Sequence, residues 1–212
     1  MSTNLLRSVS VAVLLVTAGC LGGLGGFVSG DQSLSFSAGA ISIPQDTVSE
    51  SPYTLASDKS VSFNQSIEAA GESRTVEMNV HMLHLKRSYQ GAPLASVVAL
   101  SVPQVEVLGQ QINMTEQMDP ASLIGQASSS SGELQRDQKI GEKSVRIMGQ
   151  NRTVEVFSGT ATRGGQSAKA KIYVVTFDHE GDTIVAAGIV PQVAENEGSA
   201  VVNLLESLQY EG

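Results

Sequence analysis

Two runs, Leu94–Val102 and Thr183–Val190, are apolar at nearly every position. Each leads to a proline, Pro103 and Pro191, which cannot continue a hydrogen-bonded ladder. A strand reads this way when both of its faces are covered. The chain is therefore expected to build around covered strands. Helices on both sides of a sheet would cover them, or a helix on one side and the Leu34–Ile43 segment on the other.

The flanking segments alternate instead. Val76, Met78, Val80 and Met82 fall on one face, with Glu77, Asn79 and His81 on the other. Val154 and Val156 oppose Glu155 and Phe157. A period of two is the mark of hairpin strands. The two alternating blocks also resemble each other. Ser66–Glu77 aligns with Ser144–Glu155 without a gap, half of the positions being identical, with Gly71 and Gly149 as matching turns. Val97–Val105 is likewise similar to Val185–Val193. The second half is slightly longer, which fits one extra hairpin through Asp178–Asp182.

Helices are expected at the end of each half. Asp119 and Pro120 suit an N-cap and a first helical position ahead of Ala121, Leu123, Ile124 and Ala127. A last helix from about Ala194 to Leu208 carries Val201, Leu204, Leu205 and Leu208 as one apolar stripe. Glu195 and Glu197 lie in its first turn, where the helix dipole favours acids. A short helix near Ile43–Ser49 is a weaker expectation, and Ser128–Gly132 reads as a loop between the halves. The expected class is α+β: a mostly antiparallel sheet of about seven strands in two pseudo-repeated halves, each closed by a helix. The halves span about 58–128 and 134–210 within one domain, 34–212.

The N-terminus points to a compartment. Arg7 precedes an uncharged run, Ser8 to Gly30, whose aliphatic core Val9–Val16 has the length of a signal-peptide h-region. It closes on Thr17-Ala18-Gly19-Cys20, which resembles the lipobox of exported lipoproteins, with Thr17 where Leu is usual. Residues 1–19 are read as a signal peptide and Cys20 as the lipidated residue. The Gly- and Ser-rich stretch 20–33 is read as a flexible tether. An uncleaved anchor over Val9–Val28 is the alternative, although its five glycines make a poor helix. Both place the folded part outside the cytoplasm.

Charge narrows the partners. Asp plus Glu outnumber Lys plus Arg by 21 to 13, for a net charge of −8. Nucleic acid is excluded as an ordinary partner, since phosphate binding needs a basic face. A single Cys excludes a disulfide scaffold and a multi-Cys metal site. Three sequons, at Asn64, Asn113 and Asn151, are possible glycosylation sites in an exported chain.

Five segments carry a resemblance. They are Leu34–Ala38, Tyr53, Ala70–Arg74, Val102–Gln110 and Phe157–Ala161. In this order they resemble a family of exported lipoproteins from halophilic archaea, over about residues 34–208. That family has no established activity, so it implies no site. The hairpins followed by a C-terminal helix resemble, more distantly, the Mog1/PsbP sheet-and-helix sandwich. That resemblance implies protein-binding or accessory roles. The acid excess with only six lysines agrees with a halophile, whose acidic surface stays soluble at high salt.

Chemistry-bearing patterns are sparse. His81 and His84 are three apart, which on a strand sends them to opposite faces. Asp178, Glu180 and Asp182 form an acidic loop around His179 and Gly181 that could hold a cation, without the spacing of an EF-hand. Arg74 and Arg152 match in the two blocks and are read as anion contacts or as cross-strand partners of Glu77 and Glu155. Met78, Met82, Met114, Met118 and Met148 read mainly as core filler. No nucleophile elbow, Ser-x-x-Lys pair or phosphate loop appears. The expectation is a lipid-anchored, extracytoplasmic, non-catalytic binding protein without a cofactor. Its partners would be the membrane through Cys20, and another envelope protein or a small ligand. The alternatives are an envelope hydrolase with a site assembled from separate strands, and a small-molecule or cation carrier.

Overall fold

The computed structural model describes residues 34–69, 72–87, 95–107, 110–112, 132–163 and 166–212. Within them the chain is dominated by one large mixed sheet. Its strands are β1 (Leu34–Ser37), β3 (Tyr53–Ala69), β4 (Glu72–Arg87), β5 (Ser96–Pro103), β8 (Gly132–Ile147), β9 (Gln150–Arg163), β10 (Gln166–His179) and β11 (Asp182–Pro191). Seven of them form an antiparallel run in the order β3-β4-β5-β11-β10-β9-β8. Because β3 pairs with β4 along its whole length, β1 and β5 share the other side of β4. There β1 runs parallel to Val76–Asn79, and β5 runs antiparallel to His81–Lys86. Two small sheets accompany it. One joins β2 (Ala40–Ser42) to β12 (Gln209–Glu211), and the other joins β6 (Val105–Val107) to β7 (Gln110–Ile112).

The α+β class expected from the sequence is overturned. The described helices are α1 (Gln45–Glu50), a 3-10 segment (Gln192–Glu197) and α2 (Gly198–Glu206), all short. They do not close two halves, and the Mog1/PsbP-like sandwich falls with that class. The physical reason is strand length. Strands β3, β4, β8, β9 and β10 run for 14 to 17 residues, so most of the chain is sheet. The expected last helix is broken at Ala194, whose φ of −119° is not helical, and only its second part is α-helix. The helix expected from Asp119 to Ala127 lies outside the described residues.

The two blocks of similar sequence can be placed on the sheet. Ser66–Glu77 and Ser144–Glu155 both lie in hairpins, β3–β4 and β8–β9. Their places in the sheet differ. Strand β4 is next to β5, whereas β9 is separated from β11 by β10. The additional hairpin does turn between His179 and Asp182. At both described tight turns two successive residues have positive φ: Met148 and Gly149, then Glu180 and Gly181. Hairpin loops of two residues favour this geometry because it matches the strand twist.

Two cores lie on opposite faces of the sheet. Strands β5 and β11 feed both, as their unbroken apolar runs imply. One face gathers Leu83, Leu85, Val97, Ala99, Val154, Tyr173, Val175, Ile184 and Ala186. Helix α2 covers it with Val201, Leu204 and Leu205, and Leu208 and Ile41 pack beside them. Burying each of these Leu side chains contributes roughly 1.5–3 kcal/mol. Gly188 lets the helix approach, because a Cβ there would run into the Val201 side chain. The other face gathers Val76, Met78, Val80, Met82, Val98, Leu100, Val174 and Val185, with Leu34 from β1. The Leu34–Ile43 segment is therefore divided: Leu34 serves one core and Ile41 the other.

Candidate functional site

The face that carries α2 also carries the polar side chains of interest. A cavity of about 560 Å³ opens between α1 and the β3–β4 end of this face. Its apolar lining is Ile43, Val48, Tyr53, Leu55, Leu83 and Leu85. Its polar lining consists of hydroxyls and Gln45, together with the carboxylate of Asp58. Among the described residues no other ionisable carboxylate or cation lines it.

A bulge decides which charge enters. Leu55 pairs with Leu85 and Ser57 with His84, so Ala56 is the extra residue. Beyond it Asp58 pairs with Leu83 and Lys59 with Met82. Leu83 belongs to the α2-side core and Met82 to the opposite one, so Asp58 faces the cavity and Lys59 faces away. Strict alternation from Leu55 would give the reverse.

Asp58 is held from one side. Its Oδ1 lies 3.0 Å from His81 Nε2, and its side chain remains 43% exposed. His81 Nδ1 accepts the Ile41 N–H at 3.1 Å. That bond places the ring proton on Nε2, facing Asp58. The histidine thus ties β2, which leads into α1, to the strand that floors the cavity. At the far end Arg87 pairs with Glu197, and the Tyr53 hydroxyl donates to Glu197 at 3.4 Å. Burial, then the Glu197 charge, holds the Tyr53 phenol well above the usual tyrosine range.

The acidic loop picked from the sequence is taken apart by the fold. Asp182 is buried, and its Oδ2 accepts three hydrogen bonds: from Gly39 N–H at 2.7 Å, Ser101 Oγ at 2.7 Å and Tyr210 Oη at 2.9 Å. Asp178 Oδ1 instead accepts from Thr183 Oγ1 at 2.8 Å. Glu180 stays exposed at the turn, 3.9 Å from His179 Nε2. Among the described residues no group of three or more His, Cys, Asp or Glu is placed to hold a metal. The Tyr210 ring meets His179 edge-on, with centroids 5.1 Å apart. Burial, followed by its bond to Asp182, pushes the Tyr210 phenol up to about 12.

The remaining candidates separate in the same way. His81 and His84 do point to opposite faces, and His84 is buried. Ser101 is the cross-strand neighbour of His81, but its hydroxyl donates to Asp182, and both His81 ring nitrogens are engaged elsewhere. Arg152 lays its guanidinium over Phe177 at 4.3 Å rather than pairing with Glu155, which binds Lys139 at 2.6 Å. Asn64 and Asn151 are both exposed, on β3 and at the start of β9. Met78 and Met82 are core residues. Cys20, Asn113, Met114 and Met118 lie outside the described residues, as does the Arg74 side chain. Asp58 carried no sequence signal, because the bulge that aims it is invisible to alternation. Among the described residues no helix is long and apolar enough to cross a membrane.

A family model described as a domain of unknown function, DUF6517, matches residues 40–209. A comparison with curated proteins gives no match.

Proposed function

The chain belongs to the DUF6517 family, a domain of unknown function, and from there we propose a non-catalytic binding module, held outside the cytoplasm by a lipid on Cys20. The cavity beside α1 carries the binding part of this reading. It combines a mainly apolar wall with a few polar groups, the usual make-up of a small-molecule site, and its 560 Å³ falls within the usual range. The lipobox-like Thr17-Ala18-Gly19-Cys20 and the Gly-rich stretch after it support the anchor. The resemblance to exported lipoproteins of halophilic archaea supports the same placement. The tether would let the acidic domain stand off from an anionic bilayer.

Two experiments test the two parts. Cys20→Ser is expected to release the protein from the membrane or leave the signal segment attached. Unchanged attachment with unchanged precursor size would remove the lipid anchor from the reading. The native mass of protein purified from its own membranes should include a non-covalent ligand. Val48→Trp, which fills the cavity from α1, should lose that extra mass while folding normally. Equal ligand mass in both proteins would place binding elsewhere.

A further inference from the structure

The geometry points to an amphiphile with a cationic head as the occupant of the cavity beside α1, its ammonium meeting Asp58 and its apolar body lying against Leu55, Leu83 and Leu85. This rests on the binding reading above and names the class of ligand.

Three observations carry it. Among the described residues Asp58 is the lone charged group of the lining, so they present one negative charge to the cavity against an apolar wall. The bulge at Ala56 turns the adjacent cation, Lys59, to the opposite face, where it cannot neutralise that charge from within the cavity. Asp58 is also oriented. His81 engages Oδ1 at 3.0 Å, and among the described residues this is its one side-chain partner. The His81 ring is in turn fixed by the Ile41 N–H, so the carboxylate is aimed without being consumed. A half-exposed carboxylate on a low-dielectric wall attracts a cation more strongly than one surrounded by water. The same wall gives an alkyl or aromatic body a place to leave water. An anionic head would meet Asp58 as a like charge and be rejected.

The test uses the full chain in phosphatidylcholine nanodiscs, titrated calorimetrically against empty discs. Octyltrimethylammonium, octyl glucoside and octyl sulfate serve as cationic, neutral and anionic probes with a common tail. The cation is expected to bind at least tenfold more tightly than the sulfate. Asp58→Asn keeps the acceptor for His81 and should erase that preference. Asp58→Lys should reverse it, so that octyl sulfate becomes the better ligand. Glu206→Gln makes the same charge change on the exposed side of α2 and should leave the preference intact. Equal binding of the three probes, or a preference that survives in Asp58→Asn, would overturn the cationic assignment and leave the cavity as a binding site. Absence of binding by all three would overturn both. Melting curves of each variant identify any that fails to fold. The Asn and Lys variants together keep the outcome readable, since Asp58 is a partly exposed side chain on an edge strand.

Discussion

The molecule places two aspartates on the same face of one sheet and uses them in opposite ways. Asp182 is closed. Three donors from three separate parts of the chain converge on one oxygen: the β1–β2 connection, central strand β5 and C-terminal strand β12. Asp58 is open. It has one side-chain partner among the described residues and looks into a cavity. A buried acceptor surrounded by donors acts as a fastener, and losing it strands those donors. A half-exposed one in an apolar wall has capacity left for a ligand. Acidity alone separates neither case. The number of donors already committed to each oxygen does.

That contrast can be broken by measurement. Asp182→Ala carries the largest expected effect, about 3–4 kcal/mol of stability, because it leaves Gly39 N–H, Ser101 and Tyr210 without their acceptor. Urea unfolding measures it, and a loss below about 1 kcal/mol would show that the clasp is ornamental. Tyr210→Phe removes one of the three donors and should cost about 1 kcal/mol at neutral pH. It also has a pH signature. The folded phenol titrates near 12, above its usual value of 10, so its contribution is fully present below pH 10 and is lost as pH rises through 12. The parent protein should therefore lose more stability between pH 10 and 12 than Tyr210→Phe does. Parallel slopes would mean that the Asp182 bond is not formed in solution. Asp58→Asn carries the smallest expected effect on folding, within about 0.5 kcal/mol. If Asp58→Asn instead destabilised as strongly as Asp182→Ala, both acids would be fasteners.

The sequence revealed the interior better than the site. Val97–Val102 and Thr183–Val190 declared central strands, because burial on both faces leaves no polar position to hide. Val201, Leu204, Leu205 and Leu208 declared a docked helix through spacing alone. Strands β8 and β9 were harder to read at full length. Past the core, segments such as Gln135–Lys143 are polar on both faces and carry little alternation. That hidden length is what turned an expected α+β fold into a mostly β one. Asp178 and Asp182 were visible as an acidic loop. Successive positions across a turn looked like one cluster, while pairing sent Asp182 inward to Ser101 and Asp178 to Thr183. Asp58 was missed for a related reason: its direction depends on one unpaired residue two positions earlier.

That unpaired residue also means that β3 carries a spare. Leu55 opposite Leu85 and Ser57 opposite His84 are already consecutive pairs on the β4 side. Deleting Ala56 would join them without moving either. The chain can therefore shorten by one residue here while Asp58 keeps facing the cavity and Phe63 stays with the opposite core. The same deletion between Asp58 and Phe63 would exchange the faces on one side of the cut, because no slack exists there. Length variation in this strand has one tolerated address, and it lies beside the cavity.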